Sequence, residues 1–167
     1  ESLKYQVDNT YTTASNFWKA EIAYQSEQYA AVLTHATAYF NNAEGREWVT
    51  YLSPTASEQN MYLNMGYASM ELGKYNEAQN YFSKSKSLSQ YQDSIVAIAT
   101  TLKEADAVFM QKNYPKAIQL YETVIAANSP EKDYAVFQKA IILGLQNQNS
   151  KKITLLQSLV ETSKTYA

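Results

Sequence analysis

The chain has no cysteine, one histidine (His35), one arginine (Arg46), four glycines and three prolines among 167 residues. Without cysteine there is no disulfide, no zinc–thiolate site and no thiol nucleophile, and either redox compartment is open to it. A lone histidine on an expected helix of alanines and threonines has no second imidazole to share a metal or a proton relay, so His35 reads as structural. The glycines at 45, 66, 73 and 144 form no Gly-x-Gly run and no phosphate loop. No apolar run approaches the roughly 20 residues that cross a bilayer. No signal-peptide pattern is present, and the first residue is Glu1. These features together lead us to expect a segment of a larger protein with no catalytic residues, no cofactor and no metal.

Basic charge is also thin. The formal net charge is −2, and the lysines are scattered. Nucleic-acid binding needs a concentrated basic face, so nucleic acid is not an expected partner. The Lys151-Lys152 pair reads as solvated surface at a helix start.

What is present is a globular composition, 46% hydrophobic and 18% charged, with 15 tyrosines. A buried tyrosine needs an outlet for its hydroxyl, so many of these rings belong at boundaries. The most informative feature is a phrase that recurs. Residues 65–82 and 104–121 each read as two helical patterns around a short turn, the turn ending in an aromatic with alanine three residues later (Tyr75 and Ala78, Tyr114 and Ala117). Self-similarity at such a spacing marks a stacked helical-repeat array.

The periodicity predicts about eight helices in four hairpins. In the first, Asn16 is expected to cap a helix through Tyr24, followed by Tyr29 to Phe40, with Ile22, Val32, Leu33 and Ala36 on the apolar side. In the second, Ser57 caps Glu58–Glu71, Gly73 takes a left-handed turn position, and a helix runs from Tyr75 or Asn76 to about Leu88. The third has Asp93 or Ser94 as cap, a helix to Gln111, and Pro115 in the first turn of its partner. The fourth runs from Pro130 to Leu145, and then Ser150 caps a helix from Lys151 to Ser163. Tyr29, Tyr75, Tyr114 and Asn149 align as turn markers, at intervals of 46, 39 and 35 residues. The longest interval holds an irregular insertion, 43–56, around Trp48.

These residues resemble the tetratricopeptide repeat (TPR) family. The best match is 59–92, where Tyr62, Met65, Gly66, Tyr75, Ala78 and Phe82 hold signature positions. Further repeats fall at 98–131, with Tyr114, Ala117, Tyr121 and Pro130, and at 133–166 and 13–46. The style of 133–160 is similar to large envelope-associated TPR proteins of Gram-negative bacteria. The resemblance implies an all-α, right-handed α-solenoid of about four stacked hairpins forming one domain over 1–167. It implies a non-enzymatic scaffold that binds a protein or peptide segment in a concave groove. The location would be periplasmic or outer-membrane-facing, in cell-envelope assembly or maintenance, with the cytoplasm as the alternative.

In the family the first helix of each hairpin lines the groove. Carried onto this chain, the lining is Phe17, Glu21 and Tyr24, then Leu63, Tyr67, Met70 and Glu71, then Asp106, Phe109 and Met110, then Tyr134 and Phe137. Aromatic and methionine side chains give adaptable contact area for a peptide. The family's clamp for a C-terminal carboxylate is not expected, because Glu21, Tyr67, Asp106 and Ile141 stand at its places and an acid there repels a carboxylate. The alternative expectation is glycan or small-ligand binding, as in outer-membrane nutrient-uptake proteins of helical-repeat type. Trp18, Trp48 and Tyr51 would then stack on the ligand.

Overall fold

The computed structural model describes residues 9–43, 46, 49, 57–89 and 94–164. The described residues are all-α, and the helices form consecutive hairpins of the repeat-solenoid kind. The chain divides into two compact units, 1–88 and 89–167. In the first, α1 (Asn9–Gln25) pairs with α2 (Tyr29–Asn41), and α3 (Glu58–Glu71) pairs with α4 (Tyr75–Ser87). Here α3 packs on both α2 and α1, so the first helices of consecutive hairpins adjoin. In the second unit, α5 (Ile95–Met110), α6 (Tyr114–Ala126), α7 (Lys132–Leu145) and α8 (Asn149–Lys164) each pack on the next.

All four hairpins turn in the same way. A residue with positive φ stands at 27, 73, 112 and 147, two places before each aligned turn marker. Each turn closes with the same two bonds. Gly73 N–H donates to Met70 O at 3.0 Å and Lys74 N–H to Ser69 O at 2.8 Å; Lys112 and Asn113 donate to Phe109 and Val108 at 2.8 and 3.2 Å. Glu27 with Gln28 and Asn147 with Gln148 repeat this pattern. It is the Schellman ending, which satisfies the last carbonyls of the first helix. Only Gly73 meets the left-handed requirement without a Cβ; Glu27, Lys112 and Asn147 hold it against steric resistance of roughly 1 kcal/mol each.

Helix starts follow their caps. Ser57 Oγ accepts from Asn60 N–H and Ser94 Oγ from Ala97 N–H, both at 3.2 Å. Asn113 Oδ1 accepts from Lys116 N–H, with Pro115 in the first turn. Three expected starts differ. Ser150 is not a cap, because α8 already begins at Asn149, the residue at the aligned turn marker. The helix read from Pro130 begins at Lys132, within the usual scatter of helix ends. Asn16 caps nothing, because α1 begins seven residues earlier, at Asn9. Thr13 and Phe17, one turn apart, are both buried, and that burial carries the helix through Asn16.

Small residues set how closely the helices approach. The glycine position of the repeat is held by Ala20, Gly66, Ala105 and Ala140, all buried. The second-helix position opposite is Val32, Ala78 and Ala117, each fully buried, and then Lys152. The first core gathers Phe17, Ala20, Ala36, Tyr39, Met61 and Met65 with Val49. The second gathers Ile98, Leu102, Val108, Tyr121, Val124 and Ile142 with three alanines. A ladder of rings links α1 to α4. Phe17 meets Tyr39 at 5.4 Å, Tyr39 meets Phe40 at 5.0 Å, Phe40 stacks on Tyr62 at 4.2 Å, and Tyr62 faces Tyr81 at 6.3 Å. Lys84 Nζ lies 5.2 Å from the Tyr62 ring centroid. Much of the tyrosine content is thus structural, and burial pushes the Tyr39 hydroxyl up to about 12.

Among the described residues, no helix is long and apolar enough to cross a membrane.

Candidate functional site

The first-helix surfaces carry one polar–aromatic patch in each unit. In residues 1–88 the patch forms where α1 lies beside α3. Two contacts of equal register cross this seam. Asn64 Nδ2 donates to Glu21 Oε1 at 2.7 Å, and the Tyr24 and Tyr67 ring centroids lie 6.3 Å apart with planes tilted by 40°. Tyr67 also meets Phe82 edge-to-face at 5.4 Å, which fixes its ring from below. Burial holds the Glu21 carboxyl above the usual range, and the bond from Asn64 offsets part of that. Burial, then Tyr67, Tyr29, Glu21 and Glu71, push the Tyr24 hydroxyl up. Leu63 and Met70 are half-buried and Glu71 is exposed on α3.

In residues 89–167 the patch centres on Asp106. Its Oδ1 accepts from the Tyr121 hydroxyl at 2.8 Å and from the Tyr134 hydroxyl at 3.5 Å. Lys103 Nζ approaches Oδ2 at 3.8 Å. Gln138 Nε2 donates to the Tyr134 oxygen at 2.8 Å and so extends the network along α7. Desolvation raises the Asp106 carboxyl above its ordinary value despite these partners, and burial raises both tyrosine hydroxyls. Phe109 is half-buried against Tyr114 at 5.9 Å. Met110, Tyr134 and Phe137 are exposed at 43%, 43% and 46%, large apolar surface on one class of helix.

A raised carboxyl pKa has a definite sign. The folded state then holds its proton to higher pH than the unfolded chain, so this group's contribution falls as pH rises from the unfolded value toward the folded one. Asp106→Asn keeps a carbonyl oxygen for Tyr121 and removes the desolvated charge. It should therefore raise the midpoint of thermal unfolding at neutral pH. The gain should shrink as pH falls to 3.8, the ordinary value of the group. Thermal melts of both proteins across that range check it.

Eleven of the twelve expected lining residues lie at least partly on the surface. Phe17 does not. It is 1% exposed and packs edge-to-face on Tyr39, so it belongs to the core. The groove assignment places the position but ignores that the first hairpin has Ala36 where the second and third have Phe82 and Tyr121, which leaves room for a ring from α1. Ile22, expected on the apolar side, is 66% exposed. Trp18 is 40% exposed and rests edge-on against Phe17 at 5.2 Å. Trp48 and Tyr51 lie outside the described residues, as does most of the 43–56 insertion.

One feature was not anticipated. A cleft of about 630 Å³ opens along α6, α7 and α8, walled by Ile118, Leu143, Gln148 and Lys151 and by the Glu122–Lys139 ion pair at 2.7 Å. Beside it, Lys152 is a long side chain where the second and third hairpins have Ala78 and Ala117. Its stem lies over Gly144, where an added Cβ would sit 3.0 Å from Lys152 Cδ.

The described residues hold no group of three or more His, Asp or Glu side chains arranged to bind a metal ion. The chain matches no protein-family model and no curated protein.

Proposed function

We propose that this chain is a TPR-type interaction scaffold, non-enzymatic, that holds a protein or peptide segment on the first-helix faces of its hairpins. The observation that carries this reading is the set of aromatic and methionine side chains on those faces: Tyr24, Tyr67 and Met70 in one unit, Met110, Tyr134 and Phe137 in the other. Side chains of this kind mark interaction surfaces when they cluster in the open. Four turns of one geometry at the aligned markers, with a buried small residue at 20, 66, 105 and 140, support the family reading. The resemblance of 133–160 supports a place in the envelope of a Gram-negative bacterium, within a larger protein.

The test is selection from a displayed peptide library against the full chain, with selected peptides rebound to a Tyr67→Ala/Met70→Ala variant. Binding should weaken about ten-fold, the scale of one modest hot spot, with helicity by circular dichroism unchanged. Peptides that bind the variant undiminished would remove Tyr67 and Met70 from the binding face.

A further inference from the structure

The α1–α3 seam carries charge of one sign around its tyrosine pair. Glu21 lies between Tyr24 and Asn64, and both Glu21 and Glu71 act on the Tyr24 hydroxyl. Glu27 and Glu71 act on Tyr29, the first residue of α2. Among the described residues, the charged groups that act on the Tyr24 and Tyr29 hydroxyls are Glu21, Glu27 and Glu71, all carboxylates. Three acids elsewhere among the described residues have a cation at hand. Arg46 bonds Glu58 at 2.8 Å, Lys74 lies 3.7 Å from Glu77, and Lys139 bonds Glu122 at 2.7 Å. The repeat supplies its own control, because Glu21 and Asp106 occupy the same place in their hairpins. Asp106 is met by Lys103 and two tyrosine hydroxyls, whereas Glu21 is met by one neutral amide.

We propose that this seam takes a lysine or arginine side chain of a basic peptide, seated against the Tyr24–Tyr67 pair with Glu21 and Glu71 as counter-charges. The inference rests on the scaffold reading and names the chemistry of its partner. Ring centroids 6.3 Å apart let one cation lie within the roughly 6 Å over which a ring face attracts it, for both rings at once. Tyr67 is held by Phe82, and Glu21 by Asn64, so half of the site is positioned before the ligand arrives. A peptide is favoured over a free amine because Leu63 and Met70 continue the surface along α3. The carboxylates also steer a cationic segment toward the seam.

The probe is a fluorescein-labelled peptide of alternating lysine and alanine, titrated into the full chain at low and physiological salt. The controls are the same peptide with glutamine or glutamate for lysine. Glu21→Gln, which leaves an acceptor for Asn64, and Glu71→Gln both keep shape and should each weaken the lysine peptide about three-fold, the scale of an exposed ion pair. Tyr24→Leu should weaken it about five-fold, the scale of a cation–ring contact. Asp133→Asn, an exposed carboxylate of the other unit, should change nothing. An equal loss with Asp133→Asn, or equal binding of the glutamine peptide, overturns the proposal. The two readings fail separately. Neutral library peptides that depend on Tyr67 and Met70 would keep the scaffold and remove the cation site. Lysine-peptide binding that needs Glu21, Glu71 and Tyr24 would keep the cation site even if library binding ignored Met70.

Discussion

Phe82→Ala should destabilise the first unit by about 3–5 kcal/mol, the cost of emptying a buried aromatic site. Phe82 is fully buried on α4, and its ring packs against Gly66 on α3, where a side chain would otherwise stand. An added Cβ at 66 would sit 2.6 Å from Phe82 Cδ1 and 2.9 Å from Cζ, distances a rigid ring cannot absorb. Gly66→Ala should therefore cost about 2 kcal/mol from overpacking, even though alanine favours the helix over glycine by about 1 kcal/mol. The two effects have one cause, so they should not add. With the ring gone, the new methyl group fills part of the space it left. Gly66→Ala/Phe82→Ala should then be no less stable than Phe82→Ala alone, a coupling of about 2 kcal/mol between touching residues. Urea unfolding followed by tryptophan fluorescence reads this unit selectively, because Trp18 and Trp48 both fall within 1–88. Additive losses would mean that the ring does not cover Gly66.

The hairpins were legible wherever a position has one physical solution. A chain that reverses between two packed helices needs a left-handed residue and a capped end. Those demands left marks at Gly73, Ser57, Ser94 and Asn113, and the helices there begin and end within a residue or two of expectation. Glu27 and Lys112 meet the same demand with residues that announce nothing. The aromatics two places on mark those turns, but the left-handed residues themselves are seen only in the structure. Asn16 misled because a cap residue type is only permissive; burial of Thr13 and Phe17 decides that the helix runs through it.

The candidate site was legible by position and not by state. Helical repetition puts residues 21, 67 and 106 on the same face, but it says nothing of whether a carboxylate there is already met. Asp106 meets Tyr121 because α6 brings a tyrosine to its core position, while the equivalent residue of α2 is Ala36. The open acid at Glu21 and the satisfied acid at Asp106 thus trace to a residue on the other helix of the hairpin, outside any first-helix pattern. The same substitution sends Phe17 inward.

Ala36→Phe tests that trade directly. The repeat recommends the change, because Phe82 and Tyr121 hold the equivalent positions and both are fully buried. It should nevertheless destabilise the first unit by about 3 kcal/mol, the upper end for forcing bulk into a packed core. Ala36 is fully buried among Phe17, Tyr39, Met61 and Met65, and the Phe17–Tyr39 edge contact leaves no room for a third ring. The third hairpin shows the other solution: Leu102, Tyr121 and Val124, all buried, where the first has Phe17, Ala36 and Tyr39. Volume-conserving exchanges are the ones cores tolerate. Phe17→Leu/Ala36→Phe/Tyr39→Val, which moves the bulk from α1 and the end of α2 to the middle of α2, should recover most of the loss. The measurement is the urea midpoint of wild type, single and triple variants. A single variant as stable as wild type would show that the first hairpin has space the packing denies. A triple variant no better than the single would show that the ring ladder through Tyr39, Phe40 and Tyr62, which the exchange interrupts, holds the unit more strongly than the filling of its core.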